Sequence, residues 1–367
     1  MKERIKYLDH LKCIAIILMI YGHLVGTGTN AYDIILVIKN KMNEPLIPAT
    51  TQILWKLDVY LFHLGTLSAR IGTVLFFIIS GYLGVKSREN KETSFYVIDK
   101  VMRIWPVFLA CSIVYSLFIG ITQNYWYSIK SQLVTLTLTY GLFGVIATTG
   151  VVWFLRAIVT FYIILIPFNK ITKSLIYSMY SISLFLMLAN NRYQDNSFIN
   201  MYAYDMRYIC FMLTGAMLYI CERDKDDFKS LVMNVGTSVI FTFVCLRGNM
   251  ILNGDATVDY TVGTFLVTYC IYALYYIINL KNPNILSFGS KITKFISDMF
   301  MPIYLLHLPL GLGMMYIAKY TFKIQNSYII LFSGVVVALL AAYIIHITVE
   351  VSVQKLWKKK WKKYAGK

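Results

Sequence analysis

Charge is scarce in this chain. Only 14% of its 367 residues are charged, and 18 Asp plus Glu stand against 35 Lys plus Arg. A water-soluble globular domain carries about a quarter of its residues as charge, so that class is excluded. Proline (7) and cysteine (6) are also sparse. The cysteines, Cys13, Cys111, Cys210, Cys221, Cys245 and Cys270, are scattered along apolar segments with no CxxC pair. Such residues usually pack as small hydrophobes, so neither disulfides nor a metal site is expected. There is no internal repeat, no low-complexity run and no separate soluble stretch.

What fills the chain instead is hydrophobic length. Hydrophobic residues make up 58% and aromatics 16%, with a mean hydropathy of +0.61. About 20 apolar residues cross a bilayer, and runs of that order recur from end to end. The first is too long for a cleaved signal, no small-x-small site follows it, and Gly22-His23 interrupts it, so it reads as a retained span. Candidate spans are 8–28, 70–86, 104–122, 151–168, 171–189, 207–221, 230–247, 260–279, 295–318 and 327–350. Segment 131–149 is apolar enough to cross but rich in Thr and Gly, and joins the next span through Gly150 alone.

The positive-inside bias arbitrates. Ten spans place 24 of the 35 Lys and Arg inside and 10 outside, with Arg156 within a helix. An eleventh span would put the lysine-rich tail outside and erase the asymmetry. The expected fold class is therefore all-α: a polytopic membrane helix bundle of about ten transmembrane helices, both termini cytoplasmic. A membrane domain over 1–354 would precede a basic tail over 355–367. That tail interleaves Trp357 and Trp361 with lysines, which suits anionic lipids with indoles at headgroup level. A solvated tail without a specific role is the alternative. The net charge of +17 is thus distributed for a membrane and not for nucleic acid. The long outer segment 29–69 contains Ala31–Lys41 and Thr50–Phe62, amphipathic enough to lie on the surface as a lid. Asn190–Asp205 and Gly248–Tyr260 read as further outer loops.

Ionisable residues within spans suggest function. His23 follows Lys12 by eleven residues, about 1,100° of helix, so the two share a face about 16 Å apart. A cation near the surface and an imidazole deeper on one stripe can hold an anionic cofactor beneath a proton-transfer group; a bundle-facing His bonded to a carbonyl is the bland reading. Asp9 and Lys12, three apart, can pair at the helix entrance. Lys100 and Arg103, also three apart, suit a nucleotide's phosphates or serve as positive-inside flanks, with Pro106 tolerated at a helix start. Ser80-Gly81 permits close helix packing. Arg156 either snorkels outward or faces in toward acceptor hydroxyls or a phosphate. His307 lies between Pro302 and Pro309 as a second acid/base or a strut. His346 and Glu350, four apart, can bond each other, and His10 and His63 receive no role.

Five segments read together resemble one family, the integral-membrane acyltransferases called acyltransferase 3. They are Tyr7-Leu-Asp9-x-Leu-Lys12 with His23, Phe76-Phe77-Ile-Ile-Ser80-Gly81-Tyr82-Leu83, Lys100-x-x-Arg103-Ile-Trp105-Pro106, Trp153-Phe154-Leu155, and Tyr304-Leu-Leu-His307-Leu-Pro309. Each is weak alone; five in order across 7–350 make a strong signal. Glu350 resembles a further recurring position. The resemblance implies ten-span enzymes moving acyl groups, commonly acetyl from acetyl-CoA, onto a surface polysaccharide or lipid-linked sugar. It implies His23, as general base or transient acyl carrier, with Asp9 and His307 in catalysis, Lys12, Ser80, Lys100 and Arg103 on the acyl-CoA, and Trp153, Arg156 and Glu350 on the acceptor, with no metal. One departure matters: the family's Arg is Lys12 here, which keeps the charge but loses the bidentate fork. The rival reading is a transporter or flippase for lipid-linked glycans, against which no inverted repeat is visible. A non-catalytic sensor is a third.

Overall fold

The computed structural model describes residues 5–27, 46–47, 67–145, 147–192, 197–252, 258–287 and 289–365. The expected surface helices Ala31–Lys41 and Thr50–Phe62 lie outside the described residues, as does His63. No strand occurs among the described residues, and helix occupies every expected span.

α1 (Lys6–Tyr21) continues through a wider π-type turn, Gly22–Thr27. α2 (Leu67–Glu89) and α3 (Thr93–Gln123) follow, then a short α4 (Ile129–Leu136) and α5 (Val152–Leu165). α6 (Lys173–Arg192), α7 (Ser197–Arg223), α8 (Phe228–Leu252) and α9 (Val258–Lys281) come next. α10 (Ser290–Asp298), α11 (Phe300–Tyr316), α12 (Ser327–Ile345) and α13 (Val351–Ala365) complete the chain. Seven helical stretches among the described residues are long and apolar enough to cross a membrane, and α5 is a shorter apolar helix. This is a multi-pass helical membrane protein.

The doubtful 131–149 segment is helical only at its start, in the eight-residue α4 that begins at Ile129, about 12 Å of helix. Ser128 caps it by accepting from Ser131 N at 3.1 Å, and turns then fold the chain back toward α5.

Several boundaries differ from expectation. α3 begins thirteen residues before Pro106 and runs through it; at 31 residues it is about 46 Å long. Proline here removes one backbone bond inside a helix that packing holds on both sides. The expected loop Asn190–Asp205 is largely helical, because α7 starts at Ser197 and a buried ion pair satisfies Asp205. The expected loop Gly248–Tyr260 also shrinks, with α8 reaching Leu252 and α9 starting at Val258. The 295–318 span splits at Met299 into amphipathic α10 and apolar α11. The basic tail is helical and continuous with α12 through the turn His346–Glu350. Its Trp357 and Trp361 rings lie 5.7 and 4.7 Å from Phe95 at the start of α3.

In lipid the hydrophobic effect does not drive helices together, so close packing and polar contacts must. α2 and α7 cross at glycines on both sides. A Cβ at Gly81 would fall 1.8 Å from the Met212 carbonyl oxygen, and one at Gly215 would fall 1.8 Å from that of Ile78. Close packing is therefore the physical reason for Gly81. Polar contacts tie the ends. Arg88, 1% exposed, donates to the Ile166 carbonyl (3.0 Å), the Lys91 carbonyl (3.1 Å), Thr93 (2.8 Å) and Asn169 (2.7 Å), joining α2, α3 and the chain after α5. Glu89 pairs with Arg223 of α7. The last turns of α2, α5, α7 and α12 thus gather with the start of α3 at one basic end of the bundle.

Candidate active site

His23 and His307 meet. His23 sits in the π-type turn after α1, a form of turn common at functional sites. His307 is fully buried on α11. His23 Nδ1 lies 2.7 Å from His307 Nε2, with ring centroids 5.0 Å apart.

The partners fix the protons. His307 Nδ1 faces two carbonyl oxygens, Tyr304 at 2.8 Å and Ile303 at 3.1 Å. Carbonyls only accept, so this nitrogen carries hydrogen. In the neutral pair, His307 Nε2 is then an acceptor, and His23 Nδ1–H donates to it. The consequence is that His23 Nε2 holds a lone pair, with no partner among the described residues. A proton taken up there creates an imidazolium already bonded to His307.

The aromatic motifs converge beside this pair. Tyr304 donates to the Val151 carbonyl at 2.8 Å, and its ring lies 4.4 Å from Phe154 and 5.9 Å from His307. Phe154 packs on Phe77 at 4.7 Å, and Phe76 stacks on Phe300 at 3.9 Å. Trp153 packs on Tyr208 at 4.6 Å.

Away from the basic end, a cavity of about 400 Å³ is lined by Tyr140, Trp153, Arg156, Asn200, Met201 and Tyr204, among others. The cavity connects to the histidine pair through rings: Trp153 lies 6.3 Å from Phe154, which packs on Tyr304 beside His307. Arg156 does not snorkel outward. It is 7% exposed and held by Asp205, with Nε at 2.9 and 3.1 Å and Nη2 at 2.9 Å from the carboxylate. Thr160 adds a bond to the same carboxylate at 3.2 Å. The Arg156 guanidinium also stacks 5.0 Å from Tyr140 and 5.9 Å from Tyr204. Sequence reading missed Asp205, Asn200, Tyr140 and Tyr204. The available signal was one acid in an apolar helix that needed a cation, matched by one Arg in another.

A second cluster forms at the basic end. Lys100 Nζ lies 3.7 Å from the Tyr162 ring centroid and 5.4 Å from that of Tyr96. Ser80, half-buried on α2, lies near the Tyr162 phenol. Asp99 takes Arg103 Nε at 3.1 Å and Lys91 Nζ at 2.5 Å. Two cations thus pair with one carboxylate, and the Arg103 side chain remains 47% exposed. Glu350 accepts from His346 at 2.7 Å and lies within electrostatic reach of Arg103. Asp9 accepts from Ser297 of α10 at 3.0 Å, and Lys12 is half-buried one turn further along α1. Of the ten expected site residues, His23 pairs with His307, Trp153 and Arg156 share the cavity, and Ser80, Lys100, Arg103 and Glu350 gather at the basic end.

α5 bridges the two clusters. Trp153 and Arg156 lie at one end and Tyr162 near the other; nine residues from Trp153 to Tyr162 span about 14 Å.

The buried imidazole pair, the basic cluster and the aromatic cavity share one helical membrane bundle, an arrangement suited to group transfer, and the comparison with known families gives the class. The family model for acyltransferase 3, described as an acyltransferase domain, matches residues 5–347. The chain belongs to the acyltransferase 3 family, and it is a membrane acyltransferase. No curated protein and no solved structure matches it. Among the described residues no group of three or more His, Cys, Asp or Glu is placed to hold a metal ion.

Proposed function

We propose that this protein is an O-acetyltransferase that moves acetyl from cytoplasmic acetyl-CoA to a hydroxyl of a sugar on the outer side, either a surface polysaccharide or a lipid-linked precursor. The observation that carries the reading is the proton order of the histidine pair, which leaves His23 Nε2 with a lone pair in a bundle that also holds a basic cluster and an aromatic cavity.

The basic end suits acyl-CoA. Lys100, Arg103 and Lys12 supply cations for phosphates, and the Tyr96 and Tyr162 rings flanking Lys100 offer stacking faces. Ser80 adds a hydroxyl and Glu350 holds His346 at this end. The opposite cavity suits a carbohydrate, with Trp153, Tyr140 and Tyr204 as ring faces and Asn200 as a polar partner. Arg156 Nη1 makes none of the Asp205 bonds, so it can donate to acceptor hydroxyls. Because Asp205 already balances the Arg156 charge, the contact favours a neutral sugar over a phosphate.

His23 Nε2 removes the hydroxyl proton as the sugar oxygen bonds to the thioester carbonyl carbon. Collapse of the tetrahedral adduct breaks the carbon–sulfur bond, and the imidazolium returns its proton to the departing thiolate. His307 accepts from His23 Nδ1–H throughout and holds the ring. Asp9, on the same helix, positions α1 through Ser297. The basic tail helix lies on anionic lipids. Membranes incubated with acetyl-labelled acetyl-CoA should label surface glycan; absence of label in glycan with active, folded protein refutes the donor or acceptor assignment.

A further inference from the structure

α8 and α9 form a long cleft on the flank of the bundle. Leu231 and Val235 of α8 face Ala273 and Ile277 of α9, with Ile78 and Leu218 on the floor. The enclosed volume is about 290 Å³. The cleft runs from Phe228 to Val239 on one wall and from Leu280 to Tyr269 on the other. Eleven residues of helix cover about 16 Å, the hydrocarbon depth of one leaflet of a roughly 30 Å core.

The cleft is dry by construction. Its polar groups are few and buried: Thr214 Oγ1 bonds Tyr269 at 3.2 Å, Tyr180 at 3.0 Å and Thr242 at 3.2 Å, and the Tyr272 phenol is buried with no hydrogen-bond partner among the described residues. A sugar would find almost nothing to bond inside. The mouth differs. Lys229 follows Phe228 on one wall and Lys281 follows Leu280 on the other, both exposed. The nearby acids are engaged elsewhere: Asp226 with Lys173 at 2.6 Å, Asp227 with Ser230 N at 2.9 Å, and Glu222 with Tyr82. An apolar slot one leaflet deep, with a cation on each side of its mouth, is complementary to one molecule: an acyl chain below a phosphate.

We propose that the α8–α9 cleft is a binding site for an anionic phospholipid of the leaflet at the basic end, with one acyl chain in the slot and the headgroup phosphate between Lys229 and Lys281. Bound there, the lipid cements α8 and α9 to α2 and α7, which carry Ser80 and Asp205.

Gly236 supplies the test. It lines the cleft, and a Cβ there would meet nothing within 4 Å, so the new side chains of Gly236→Trp and Gly236→Leu start in open space and extend into the slot. The protein and its variants would be purified in mild detergent and their retained lipids quantified by mass spectrometry. The wild type should hold phosphatidylglycerol or another anionic phospholipid above its abundance in the membrane. Gly236→Trp should lose most of it. Lys229→Gln with Lys281→Gln should retain lipid but lose the preference for anionic over zwitterionic headgroups. Phosphatidylglycerol added to delipidated protein should raise the melting temperature of the wild type and not of either Gly236 variant. Retained lipid of bulk membrane composition, equal in wild type and Gly236→Trp, would overturn the proposal. So would retention of an isoprenoid carrier in place of a phospholipid.

Discussion

Removing His307 while keeping His23 tests the proton order directly. His307→Leu leaves His23 Nδ1 without its acceptor, so the ring can turn and its proton can sit on either nitrogen. In the transition state His23 is cationic, and a hydrogen bond to a charged group contributes about 1.5–3 kcal/mol. Its loss should therefore slow transfer by roughly 10- to 150-fold. His307→Gln should do less harm, because the amide can donate to the α11 carbonyls and accept from His23 with its oxygen. His23→Gln cannot take up a proton at all and should cost about 10²–10⁴-fold, the usual contribution of a positioned base. The expected order of damage is His23→Gln, then His307→Leu, then His307→Gln. The assay is initial-rate acetyl transfer in membranes, normalised to folded protein by size exclusion and thermal melting. If His307→Leu proves more damaging than His23→Gln, His307 is the base and the proton order is wrong. Wild-type activity in His307→Leu would make the contact incidental, and wild-type activity in His23→Gln would make His23 structural.

Arg156→Met should destabilise the bundle by about 3–5 kcal/mol by stranding the buried Asp205 charge, and adding Asp205→Leu should recover much of that; melting of the single and double variants in detergent checks the coupling. Arg103→Ala and Lys100→Ala should raise the KM for acyl-CoA more than they change kcat, whereas Lys12→Arg should retain or improve activity; unchanged KM values would leave these cations as topology determinants. Gly81→Ala forces a methyl against the Met212 carbonyl and should cost about 1–3 kcal/mol or more, seen as a lowered melting temperature that Gly236→Ala does not show. Cysteines placed at Ser128 and Lys358 should react from opposite sides of the membrane with an impermeant reagent; labelling of both from outside would break the ten-span arrangement.

Much of the bundle was legible because hydropathy is a local property: a run of apolar residues long enough to cross reports itself. The misplaced ends share one cause. Asp205 looked like loop because an acid in isolation belongs in water, and only its partner Arg156, 49 residues earlier in the chain, makes it helical and buried. α3 extends beyond Pro106 for a like reason, since contacts around Arg88 and Lys91 outweigh one missing backbone bond. At the site, His23, His307, Trp153 and Arg156 could be picked out as ionisable or aromatic residues in apolar helices. That His23 bonds His307, 284 residues away, has no local trace. Tyr140, Asn200 and Tyr204 lie in segments whose composition gives no reason to choose them over the other tyrosines and amides of the chain.

α5 has fourteen residues, while α3 beside it has 31. The first is about 21 Å long and the second about 46 Å, against a hydrocarbon layer of roughly 30 Å. No single thickness matches both. The long helix can tilt, while the short one, with Phe154, Arg156 and Phe161 buried among its neighbours, is completed at its ends by protein or by leaflets drawn inward. The helix that carries both clusters is thus shorter than the layer around it. Transfer in vesicles of graded acyl length is expected to fall as the chains lengthen, a sensitivity that no single residue carries.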